Sequence, residues 1–349
     1  MTYKEWWYNI INLALEHDLS DILISPQLPP FMRVNGVLVP INKEKISNKY
    51  IDQVIGITMT EKQKTLFEKN LELDYAYSFN AETRFRVNAF CTIHGRSIAM
   101  RRINSQLPDI NNIHLPNEIF DLVKQKQGLI LVVGPTGSGK STSLTIIIEH
   151  INKYYNKHII TIEDPVEFIF HSKKSIFNQR EVGNNTHSFS NALRSTLRED
   201  PDLIMLGEMR DPETAKLALS AAETGHLVLS TLHTNNAYHS ITRIIDMFPD
   251  ADKQLVISLL AESLIAVVSQ RLLPLKDKSG RVAAYELLIA TPAIKNLINS
   301  NKISQIYSMM QVGSKYGMIT LEDSVKKLFD QDLITQETLD QYVTKVDSN

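Results

Sequence analysis

Leu129-Ile130-Leu131-Val132-Val133-Gly134-Pro135-Thr136-Gly137-Ser138-Gly139-Lys140-Ser141 decides the fold of this chain. Its first half is an unbroken aliphatic run, as expected of a strand buried on both faces of a parallel sheet. Its second half fits the pattern G-x-x-x-x-G-K-[ST], and the strand before it and the helical pattern after it (140–154) supply the context that pattern needs. Glycines let such a loop turn its N–H groups inward around a phosphate, and the helix N-terminus adds the positive end of its dipole. Gly134, Pro135, Thr136, Gly137, Ser138, Gly139, Lys140 and Ser141, together with Thr142, are the expected nucleotide contacts. Lys140 should reach the β- and γ-phosphates of ATP, and the Ser141 hydroxyl should ligate Mg²⁺.

Downstream, the aliphatic runs 158–162, 203–206 and 227–230 alternate with helical segments around 140–154, 188–198 and 212–223. That alternation predicts an α/β domain with helices on both faces of a parallel sheet. In such a sheet the C-terminal ends of the strands share one edge, where ligands bind. The second strand ends in Glu163-Asp164, the third in Gly207-Glu208, and the fourth in Ser230-Thr231 followed by His233. An Mg·ATP site needs acidic groups on the metal side and a base to orient the attacking water. Glu208 is the expected metal-side acid, Glu163 the expected general base, and His233 is placed to sense the γ-phosphate. The bland alternative is that these carboxylates only cap the following helices, an option most open for Asp164. His226, before the fourth strand, is as compatible with a structural as with a catalytic role. No further histidine or cysteine keeps zinc-site spacing with the two histidines.

The first ~100 residues read as a separate α+β unit. Trp7, Ile10, Ile11 and Ala14 recur at helical spacing, and a short strand is expected at 22–25. Strands 31–34 and 37–41 flank Asn35-Gly36, a strong hairpin signal. Thr60-Glu61-Lys62-Gln63 has the form of a capping box, and β-rich segments follow at 71–79, 83–93 and 96–103. The polar, proline-punctuated stretch after residue 104 predicts a linker, giving domains 1–104 and 119–349 joined by 105–118. Helices should dominate from Asp252 onward, with 255–268 a buried core helix and the last ~60 residues a helical appendage.

The chain has 349 residues, a net charge of −2 and one cysteine, Cys91. The charge balance argues against a bulk nucleic-acid binder. One cysteine cannot form an internal disulfide, which fits a reducing compartment. The N-terminus lacks the features of a signal peptide, and no apolar run is long enough to span a bilayer, so a cytoplasmic protein without a direct membrane span is expected.

Beyond the loop, an ordered series of segments resembles the type II/type IV pilus secretion ATPases over nearly the whole length. They are Thr161-Ile162-Glu163-Asp164-Pro165-Val166-Glu167, Asn178-Gln179-Arg180-Glu181-Val182, Leu197-Arg198-Glu199-Asp200-Pro201-Asp202, Gly207-Glu208-Met209-Arg210-Asp211, Ala221-Ala222-Glu223-Thr224-Gly225-His226 and Ser230-Thr231-Leu232-His233-Thr234. The resemblance implies a PAS-like α+β N-terminal domain, a RecA-like P-loop NTPase domain and a homohexameric ring. It implies that Glu163 is the catalytic carboxylate and Glu208 an atypical Walker B acid. It also implies that Arg86 and Arg101, which keep the family's spacing across two adjacent strands, stabilise phosphate charge; otherwise both are solvated strand arginines.

Ala293-Ile294-Lys295-Asn296-Leu297-Ile298 resembles a motif of the retraction branch, with Lys295 where that branch usually has Arg. Assembly ATPases of the family usually carry a tetracysteine zinc site and a longer N-terminal extension, and this chain has neither. The implied work is therefore ATP-driven pilus retraction, peripheral to the inner membrane at a platform protein, with other retraction ATPases as further partners. Alternatives are an accessory retraction ATPase, the ATPase of another secretion machine, or a nucleotide-gated assembly scaffold.

Overall fold

Thr2 and Glu5 exchange both hydrogen bonds of a capping box and so start α1 (Tyr3–Leu15), which buries Trp7, Ile10, Ile11 and Ala14. The computed structural model describes residues 2–343 apart from 18, 35, 81–82, 104–112 and 114. The chain divides into two compact units, Met1–Gln106 and Leu107–Asn349. The expected linker 105–118 lies largely outside the described residues, as does Asn35 of the expected hairpin turn.

In the first unit, β1 (Leu19–Ile24), β2 (Phe31–Val34) and β3 (Val37–Pro40) precede α2 (Asn48–Thr58) and α3 (Glu61–Asn70). Thr60 and Gln63 form the capping box expected for α3. β4 (Glu72–Ser78), β5 (Arg84–Thr92) and β6 (Gly95–Ile103) complete a six-stranded sheet of order β3-β2-β1-β6-β5-β4. Every neighbouring pair is antiparallel. One sheet face joins the apolar sides of α1 and α2 in a core that includes Trp7, Ile51, Phe85 and Met100. Alternation along β5 leaves Arg86 exposed between the buried Phe85 and Val87.

The second unit holds α4 (Glu118–Leu122), β7 (Gly128–Val133), α5 (Lys140–Tyr154), β8 (His158–Glu163), β9 (Ile176–Glu181), α6 (Phe189–Thr196), β10 (Leu203–Leu206), α7 (Pro212–Glu223), β11 (Leu227–Leu232), α8 (Ala237–Asp246), α9 (Asp250–Ser263), β12 (Leu264–Pro274), β13 (Arg281–Ile289), α10 (Pro292–Asn299), α11 (Ile306–Gln311), α12 (Leu321–Asp330) and α13 (Gln336–Val343). The seven strands run β13-β12-β7-β11-β10-β8-β9, parallel except for the β12–β13 pair. Two cores flank the sheet. One gathers residues of α7, α8, α9 and α10, the other residues of α4 and α5.

This is the mixed α/β architecture expected, with one correction. The stretch 255–268 is not one core helix: α9 ends at Ser263, and Leu264 begins β12 without an intervening loop. A buried helix and a doubly covered strand are both continuously apolar, so the pattern alone does not separate them. Leu264-Ile265-Ala266-Val267-Val268 is rich in β-branched residues, and β7 offers it a free ladder, pairing Val267 with Leu131 and Val268 with Val132. The helical dominance expected from Asp252 therefore holds only from α10 onward.

Candidate active site

β7 is buried along its whole length, and at its end the chain turns through Gly134 into the loop. Gly134 has φ +151°, and a Cβ there would lie 2.5 Å from the backbone oxygen of Gln270 and 2.6 Å from Ser138 Oγ. Gly139 (φ +88°) is the N-cap of α5, where a Cβ would meet Gln270 Nε2 at 2.8 Å. Only glycine fits this close approach. Gln270 of β12 therefore braces the loop from behind, and its Oε1 accepts a 2.6 Å bond from Ser143 Oγ. No side chain caps α5, so its leading N–H groups remain available to an anion, with the exposed Ser141 and half-buried Thr142 in its first turn.

The parallel register brings the other strand tips to the same edge, since Leu206 pairs with both Ile162 and Ser230, and Val133 pairs with Leu232. A chain of charged and polar groups runs along it. Lys140 Nζ donates to the carbonyls of Gly134 (2.8 Å) and Pro135 (3.0 Å) and lies 3.3 Å from His233 Nδ1. His233 Nε2 is 3.7 Å from Glu208 Oε2. Glu208 pairs with Arg210, which reaches Asp164 at 3.7 Å. Burial pulls Lys140 below the usual lysine range, opposed by the charges of Glu208 and Glu167. Burial, then the positive charges of Lys140 and Arg210, lower His233 against the pull of Glu208. A neutral imidazole follows at neutral pH, its Nδ1 able to accept from Lys140.

Glu163 ends β8 and is 7% exposed. Burial pushes its carboxyl up to about 7, while hydrogen bonds from Thr161 Oγ1 (2.7 Å), Gln179 Nε2 (3.2 Å) and the Glu167 backbone hold it down. Gln179 is itself fixed by Phe168 and Phe170, donating to one backbone oxygen and accepting from the other backbone nitrogen. A carboxyl balanced near neutrality is the protonation behaviour a general base requires.

Of the residues singled out in the sequence, the loop, Glu163, Glu208 and His233 come to one sheet edge. His226 does not. It precedes β11 at the opposite edge, with Nδ1 3.1 Å from the Ala221 carbonyl, and closes the turn after α7. Arg86 and Arg101 belong to the first unit, where they are direct cross-strand partners on β5 and β6. Arg101 Nε binds Asp21 Oδ1 at 2.9 Å.

Sequence reasoning missed Arg210, Gln179 and Gln270. The first two lie in the family-like segments but carry no role that spacing reveals, and Gln270 lies on β12, whose opening residues 264–268 the apolar pattern assigns to a helix.

Residues 5–282 match the family described as Type II/IV secretion system protein. The chain is 47% identical to the twitching motility protein of Neisseria gonorrhoeae over 308 residues, covering 88% of this chain and 82% of that one. It is 46% identical to the type IV pilus retraction ATPase PilT of Pseudomonas aeruginosa over 329 residues, covering 94% and 95%. The crystal structure of the pilus retraction motor PilT with bound ADP superposes with a TM-score of 0.88 at 43% identity, covering 96% of each chain. An ordered set of loop and strand-tip residues on the fold these relatives share leaves one assignment, and the chain belongs to the type II/IV secretion system protein family.

Proposed function

We propose that this chain is a motor ATPase that hydrolyses ATP to ADP and phosphate and so drives retraction of type IV pili. The observation that carries the reading is the convergence of the uncapped α5 N-terminus, Lys140, His233 and Glu208 on one sheet edge, with Glu163 ending the strand beside β10. The names of its relatives support the retraction assignment.

The residues divide the work by chemistry. Loop amides from Gly134 to Thr142 surround the phosphates, and Lys140 exchanges its carbonyl partners for phosphate oxygens. Ser141 and Glu208 would hold Mg²⁺. Both offer hard oxygen donors, and the described residues contain no cluster of three His, Cys, Asp or Glu that would make an all-protein cage. That sparse set suits an ion held by one or two side chains plus phosphates and water. When bound, Mg²⁺ neutralises charge on the phosphate oxygens. Glu163 takes the proton of the attacking water, with Thr161 and Gln179 fixing its orientation. His233, neutral between Lys140 and Glu208, reads the terminal phosphate. Arg86 and Arg101 supply positive charge from the N-terminal unit as the phosphoryl group transfers.

The active assembly is a homohexamer acting at the cytoplasmic face of an inner-membrane pilus platform, alone or with further retraction ATPases. No described helix is long and apolar enough to cross a membrane, so attachment runs through a partner. Steady-state phosphate release tests the assignment. Lys140→Ala and Glu208→Ala should each lower turnover at least about a hundredfold. Full turnover in either variant would remove this edge of the sheet from the chemistry.

A further inference from the structure

Glu286, on β13, is the most deeply buried carboxylate among the described residues, 2% exposed. A carboxylate taken out of water is costly unless hydrogen bonds meet it, so its partners show what it is kept for. Burial pushes it up to about 7, while the Ala237 N–H, the Ser269 hydroxyl and the Arg271 charge hold it down. No step of the hydrolysis described above involves it.

Those partners lead to one segment. The Ala237 N–H, the first of α8, donates to Glu286 Oε2 at 2.9 Å. Two residues earlier, the Asn235 carbonyl accepts from Ser269 Oγ (3.4 Å) and Arg271 Nη2 (3.3 Å), and Ser269 is the cross-strand partner of Glu286. Asn236 between them caps α8, its Oδ1 accepting from the His239 N–H at 3.0 Å. Every residue from Asn235 to Ala237 is thus held, and His233 stands two residues before the first of them.

Side chains alternate across a strand, so Ser269 and Arg271 reach this turn while Gln270 between them reaches the phosphate loop. Ser269 also pairs with Val133, the last residue of β7. One strand therefore sets both the loop and the turn after β11, and the separation of Lys140 from His233 follows from it.

We infer that Glu286 is a positioning residue for ATP hydrolysis, its carboxylate fixing the first N–H of α8 and so holding His233 between Lys140 and Glu208. Without that acceptor the buried N–H is left unsatisfied, and the turn must shift to find another partner. The inference rests on the role given to His233 above and extends it to a strand two places from β7 in the sheet.

Steady-state phosphate release by the full chain tests it, with two replacements close to glutamate in size. Glu286→Gln keeps an acceptor oxygen for the Ala237 N–H and should keep kcat close to wild type. Glu286→Met fills the same space without that acceptor. It should lower kcat about tenfold or more while KM for ATP changes less than about twofold, because the phosphate loop is untouched. In a His233→Ala background, Glu286→Met should lower kcat no further, since the group it positions is already gone. Equal kcat in Glu286→Gln and Glu286→Met overturns the inference, as does a rise in KM that matches the fall in kcat, or the same drop recurring in the His233→Ala background. Undiminished turnover in His233→Ala alone overturns the role of His233 beneath it.

Discussion

Replacing Glu163 with Gln should stabilise the protein above neutral pH while abolishing turnover. The native carboxyl is pushed from 4.5 to about 7, chiefly by burial. A folded-state pKa raised in this way means the native protein is favoured while the group is protonated, and that advantage is lost as pH rises through about 7. At about 1.4 kcal/mol per pH unit of displacement, the ionised carboxylate costs about 3 kcal/mol at pH 8 and nothing below about pH 4.5. Glutamine is neutral throughout, and its amide oxygen can still accept from Thr161 and Gln179, so the variant escapes that cost. For a unit of this size each kcal/mol moves the midpoint by roughly 2–4 °C, so the variant should melt roughly 6–12 °C higher at pH 8. The gap should close as pH falls toward about 5. Buried Glu286, also raised to about 7 by burial, titrates in both proteins and cancels in the comparison. Paired thermal melts across that range measure the difference, and phosphate release follows activity. A variant that melts no higher than wild type at pH 8, or a gap independent of pH, refutes the burial argument; undiminished turnover removes Glu163 from the base role.

Two substitutions test other parts of the site. Gly134→Ala places a Cβ 2.5 Å from the Gln270 backbone oxygen, which cannot swing aside, so fluorescent-nucleotide binding should fall at least about tenfold; native affinity would show that the loop tolerates the displacement. Arg86→Ala and Arg101→Ala should each lower kcat by about a hundredfold or more with little change in ATP affinity, and normal rates in both would return these residues to a solvated strand face.

The placement of the candidate site was legible where its parts are local. A strand, a glycine loop and a helix start are contiguous in the chain, and the parallel alternation says where Glu163, Glu208 and His233 must end. What bears on that site from a distance was not. Gln270 lies on the far side of the loop and reaches it only because β12 pairs with β7, a pairing hidden by an apolar run equally suited to a helix. Arg210 stands in a quoted segment, yet its bridge between Glu208 and Asp164 depends on β10 lying beside β8. β9 carries no aliphatic run to mark it, because only Ile176 and Phe177 are apolar and the rest, the buried Glu181 included, are polar, as an edge strand permits.

Gln270 touches the phosphate loop at both ends, its backbone oxygen against Gly134 and its side-chain amide against Gly139, with Ser143 tied to the same amide. Neither glycine leaves slack. Any slide of β12 along its axis drives one of these contacts into the loop backbone, so strand and loop shift as a rigid piece. β12 pairs along its length with β13, so the loop, its bracing strand and that hairpin form one stiff block at this end of the sheet.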